Sequence, residues 1–227
     1  MNGGNYLICK PAAGYKGYNI REVNMGYGKG AMFERDICRT LSLWWTAGEQ
    51  DDCFWRNRTR RTGKAYNAQL QEGDIIAVRK VGIALTDVFC IECKSGYSSK
   101  RNITKKTKAK REIKKEKVKN IPWDLLGVID DTTFSSQVST IAKFWEQTTK
   151  AAKLTGKIPF LIFKRDYHVP VVVVDYQFFD AFNFLINDVE ITVKNLFKEV
   201  LHFYRLESFL KSFCPEDVKK YAGDRND

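Results

Sequence analysis

Between Val88 and Lys94 the chain reads Val-Phe-Cys-Ile-Glu-Cys-Lys, an apolar strand-like run that ends on an acid and a lysine two positions apart. Side chains of a strand alternate between faces, so this offset puts Glu92 and Lys94 on the same side of a sheet. A second β-type run, Gly73-Asp74-Ile75-Ile76-Ala77-Val78, opens on another acid. Charge set into apolar strands is costly unless it is paired or used, so a fold for this chain must give these groups a common polar place. Each feature alone has a plainer reading. Asp74 would be a turn residue beside Gly73, and Glu92 with Lys94 a solvent-facing ion pair at a strand end.

The flanking segments favour a shared site. From Lys29 to Trp45, Phe33, Ile37, Leu41 and Trp44 recur at helical spacing, with Glu34 at the edge of that stripe. Asp74 to Val78 and Ala84 to Glu92 read as two strands of an antiparallel hairpin turning around Lys80-Val81-Gly82. Ser135 to Leu154 forms a second amphipathic helix. Val138, Ile141, Ala142, Trp145 and Ala152 lie on one stripe, Phe144, Gln147, Ala151 and Leu154 on its neighbour, and Gly156 is the stop. Pro159 to Lys164 and Val169 to Asp175 are apolar enough to be strands buried on both faces, joined by a turn at Arg165 to His168. Beyond Tyr176 the residues Val193, Leu196, Phe197, Val200, Leu201 and Tyr204 fit helical spacing. There is no internal repeat.

An acid opening one β-run, an acid-x-lysine ending the next, a Phe-Glu first helix and a glutamine-bearing helix downstream together resemble the PD-(D/E)XK nuclease superfamily over residues 30–176. Asp74 corresponds to its aspartate and Glu92-Cys93-Lys94 to its E-x-K. Within the superfamily the likeness is to Holliday-junction-resolvase-like and phage-type endonucleases. The resemblance implies an α/β, restriction-endonuclease-like fold: a mixed central sheet flanked by helices, with a helical C-terminal lobe. It implies metal-dependent DNA hydrolysis using Mg²⁺, with Mn²⁺ as a substitute. Asp74 and Glu92 would be the principal metal ligands, the Cys93 backbone carbonyl a third and Glu34 an additional acid of the metal site. Lys94 would serve the attacking water or the growing phosphate charge, and Gln147 would contact the phosphate or the lysine.

Other metals fit less well. Cys90 and Cys93 are three apart in a strand and therefore face opposite ways, which makes them poor joint ligands, and the two histidines, His168 and His202, lie far downstream. Oxygen donors are left, and these suit hard cations. The six cysteines lack the spacing of a small disulfide scaffold, so reduced thiols in a cytoplasmic setting are expected. The longest apolar stretches are too short to span a bilayer, so no membrane partner is expected.

The net charge of +11 is concentrated in two runs. Arg56, Arg58, Arg60, Arg61 and Lys64 lie between Trp55 and Tyr66 with no acid among them. Residues 100–119, including Lys100, Arg101, Lys105 and Lys106, hold eleven basic residues against Glu112 and Glu116. Local fields of this kind suit a phosphate backbone, although a lysine-rich insertion also serves as a solubilising or targeting segment. The expected organisation is an irregular arm at 1–28, a nuclease core at 29–176 with a basic insertion at 98–120, and a helical extension at 177–227. DNA is the expected partner, with a homodimer expected if the substrate is branched. The rival reading is a non-catalytic protein that binds DNA or RNA through its basic loops.

Overall fold

A computed structural model describes residues 29–57, 73–95, 140–165, 168–182, 191–196 and 199–225. The arm at 1–28, Arg58, Arg60, Arg61, Lys64 and the whole insertion at 98–120 lie outside the described residues. The elements are α1 (Lys29–Trp45), β1 (Phe54–Arg56), β2 (Ile75–Ala77), a 3₁₀ turn (Lys80–Gly82), α2 (Ile83–Val88), β3 (Phe89–Ser95), α3 (Thr140–Thr155), β4 (Ile158–Lys164), β5 (Val171–Val174), α4 (Tyr176–Phe182), β6 (Ile191–Leu196), β7 (Glu199–Arg205), α5 (Leu206–Ser212) and α6 (Pro215–Asp224). Five strands form one mixed sheet in the order β3-β4-β5-β7-β6, with β3 and β4 parallel and the other neighbours antiparallel. The architecture is α/β and compatible with the restriction-endonuclease-like expectation.

The central strands are apolar on both faces because helices cover both. Phe89, Ile91 and Cys93 of β3, Phe160 and Ile162 of β4, Val172 and Val174 of β5 and Tyr204 of β7 face α1 and the C-terminal helices. Their alternates Leu161, Phe163, Val173, Leu201 and Phe203 meet Ile141, Ala142, Phe144 and Trp145 of α3. Cys90, also on the α3 side, packs on Ala151 and Ala152. The stripe Phe33, Ile37, Leu41 and Trp44 is buried as the spacing predicts, and Gly156, at φ +66°, stops α3 in the left-handed region.

Two expectations are corrected. The residues from Ala84 to Val88 are helix rather than strand, and no β2–β3 hairpin exists: β2 pairs antiparallel with β1, and the segment leading into it meets β3 through the parallel bridge Gly73–Ile91. Gly82, Leu85, Thr86 and Phe89 are buried at helical offsets of three, four and seven, a pattern that outweighs the strand-like look of the run. After Tyr176 the chain is helical only in part, since 191–196 and 199–205 form strands that complete the sheet. Val200 to Tyr204 is apolar apart from His202, so strand and helix periods both fit it; its aromatic and β-branched residues and burial on both faces favour the strand.

Candidate active site

The site forms where β2 leaves β3. The Asp74 N–H donates to Ile91 O at 2.7 Å, as a parallel ladder requires, but the Asp74 carbonyl accepts from Asn57 N–H at 2.8 Å and so turns toward β1. The next β3 donor, Cys93 N–H, is met by the Asp74 side chain, with Oδ2 at 2.9 Å. The carboxylate thus stands in for the missing backbone acceptor. Gly73 makes the approach possible: its φ is +88°, and a Cβ there would lie 2.6 Å from Ile91 O.

On β3, Glu92 and Lys94 share the face of Cys90 that α3 covers. Glu92 is fully buried, which removes the reading of a solvent-facing ion pair. Lys94 Nζ donates to Glu92 Oε2 at 3.0 Å and lies 3.9 Å from Asp74 Oδ2, so one ammonium serves both acids. Burial, and then the charge of Glu92, push the Asp74 carboxyl up to about 7, against the pull of Lys94 and of the Cys93 N–H. A hydrogen bond between the two carboxyls acts in the same direction. Near neutral pH, Asp74 is therefore part-protonated and shares its proton with Glu92.

Of the other expected residues, Glu34 lies beside this place but is engaged by Arg56, whose Nε donates to Glu34 Oε2 at 2.5 Å. The charges of Glu34, Asp74 and Glu92 all reach the Cys93 thiol, which burial holds well above its usual range. Even so, no group of three or more His, Cys, Asp or Glu close enough to hold a metal ion occurs among the described residues, so Glu34 does not complete a ligand triad here. Gln147 is exposed on α3. It lies on the helix that covers the Cys90 and Glu92 face of β3, a few residues before Ala151 and Ala152, which pack with Cys90. Cys90 and Cys93 fall on opposite faces, in separate clusters, as their spacing predicts. Arg56 was expected only as a phosphate contact; its pairing with Glu34, from a position 22 residues away, carries no local sequence signal.

The donor set suits a hard divalent cation. Two buried carboxylates that hold a proton between them at neutral pH are what a doubly charged ion stabilises, and among the described residues neither histidine nor a thiol pair is offered with them.

A family model described as "Phage putative PDDEXK endonuclease" matches residues 129–220 and supports a PD-(D/E)XK nuclease-like family for this chain. Nucleases of that superfamily act on nucleic acid and generally use divalent metals. The matched span holds α3 with Gln147, β4, β5 and the C-terminal strands and helices, whereas Asp74, Glu92 and Lys94 precede it. Family match and acid cluster are thus independent observations, joined in the fold by the parallel pairing of β3 with β4. No curated protein and no solved structure matches the chain. No helix among the described residues is long and apolar enough to cross a membrane.

Proposed function

We propose that the protein is a metal-dependent DNA endonuclease, with Mg²⁺ as its natural cation and Mn²⁺ able to replace it. Asp74 and Glu92 would hold the ion, helped by the Cys93 backbone carbonyl, and Glu34 would support it once turned from Arg56. The observation that carries this reading is Glu92. A fully buried carboxylate, coupled to a second buried acid and to an ammonium at a sheet edge, costs stability that an apolar residue would not.

When bound, the cation polarises the phosphodiester and stabilises the leaving oxygen. Asp74 and Glu92 would release the proton held at Asp74 on becoming its ligands. Lys94, held by Glu92, keeps an ammonium where it orients the attacking water or neutralises charge growing on the phosphate. Gln147, exposed on the helix that covers this face, contacts the phosphate or Lys94. Arg56 and the basic runs Arg58–Lys64 and 100–119 grip the DNA backbone. The narrower form of the proposal is cleavage of branched DNA by a homodimer in the host cytoplasm, within a core at 29–176 that carries its basic insertion.

A substrate panel tests this reading. Plasmid, single-stranded DNA, a four-way junction and RNA are incubated with Mg²⁺, Mn²⁺ or chelator. Cleavage of DNA that needs the metal and vanishes in Asp74→Ala and Glu92→Ala, with binding retained, is expected. DNA left intact under every condition, with RNA bound, would leave only a nucleic-acid-binding protein.

A further inference from the structure

We infer that Arg56 couples metal binding to phosphate binding: its ion pair with Glu34 opposes a divalent cation at the Asp74–Glu92 pair, and a DNA phosphate relieves that opposition. The inference rests on the nuclease reading of this site and gives Arg56 a role beyond gripping the backbone. Arg56 closes β1, and the side chains of the pair are only 14% and 21% exposed, so salt screens them less than it would a surface pair. The next residue fixes the arginine against the acid's own segment. Asn57 N–H donates to Asp74 O, and Asn57 Nδ2 donates to Gly73 O at 3.1 Å. Arg56 pairs across the ladder with Ile75, the residue after Asp74, and the Cys38 thiol, raised first by burial, also feels the charges of Glu34, Arg56 and Asp74.

A guanidinium carries five N–H donors, and Nε takes up Glu34. The terminal nitrogens form the fork that matches a phosphate. Without DNA, a doubly charged ion at Asp74 and Glu92 meets the positive Arg56 and competes with it for Glu34. A phosphate on the terminal nitrogens supplies the counter-charge, so DNA raises metal affinity. By linkage, metal raises DNA affinity by the same factor.

Mn²⁺ affinity, read from the EPR signal of free Mn²⁺, tests the coupling. It is measured with and without a saturating short duplex, on a Lys94→Ala background that arrests cleavage. In that background the duplex is expected to tighten Mn²⁺ about fivefold or more. With Arg56→Gln added, DNA-free Mn²⁺ binding is already tighter and the duplex changes it less than about twofold. Arg56→Met carries the same expectation should the glutamine variant not fold. Equal coupling with and without the arginine would overturn the inference and leave the nuclease reading standing. A Lys94→Ala protein that takes up no Mn²⁺, with or without DNA, would overturn both.

Discussion

Asp175, at the end of β5, and Asp74, at the start of β2, are both buried aspartates, yet their surroundings differ in kind. Asp175 precedes α4. Its Oδ1 accepts the Gln177 N–H at 3.0 Å and its carbonyl accepts the Phe178 N–H at 3.2 Å, the pattern of a helix N-cap. Asp74 also accepts a backbone N–H, from Cys93, but it adds a second buried acid and a lysine within reach. A buried acid alone is therefore no sign of chemistry. The sign is convergence, where two carboxylates are brought together although burial, and then their repulsion, raise one of them to about 7.

The sharpest way to break this contrast is to remove each acid's neighbours or the acid itself. Lys94→Ala or Glu92→Gln should lower cleavage by about 10³-fold or more, whereas Asp175→Ala should leave the rate within about threefold and cost about 1 kcal/mol in a urea melt, the value of a lost cap. Equal losses of activity at both sites would erase the distinction. Gly73→Ala should cost about 3 kcal/mol or more, because it adds strain at positive φ to a clash with the Ile91 carbonyl. A melt close to wild type would show that the β2–β3 fork is not held as described.

Asp74→Asn keeps an acceptor for Cys93 N–H and removes the crowded charge. It should stabilise the chelated protein by about 1–3 kcal/mol at pH 8 while abolishing cleavage. The sign follows from the raised carboxyl. Its stabilising proton is fully present below the ordinary aspartate range near 4 and is lost as pH rises through about 7. The advantage of Asp74→Asn should therefore grow from pH 5 to pH 8 and shrink when Mn²⁺ is added. A pH-independent difference would contradict the shared proton. The smallest effect is expected at Gln147→Ala, a fall in rate of about tenfold or less with stability unchanged, since the side chain is exposed.

Much of this contrast was legible in the sequence. Alternation placed Glu92 and Lys94 on one face and Cys90 and Cys93 on two. Helical spacing marked the buried stripe of α1, and the valines of β5 signalled a strand covered on both sides. The failures have different causes. Val200–Tyr204 is mostly apolar on both faces, so strand and helix periods both fit it, whereas Ala84–Val88 belongs to a helix of only 6 residues, too short for its period to show. Arg56 was legible as a basic residue but not as the partner of Glu34, because their meeting depends on how α1 packs beside β1.

The most direct test of the central claim is the anomalous difference map of a crystal grown with Mn²⁺. The account predicts a single strong peak bonded to carboxylate oxygens of both Asp74 and Glu92, absent in Glu92→Gln crystals. A protein that cleaves DNA with Mn²⁺ yet shows its peak elsewhere, or shows none between these two acids, would contradict it.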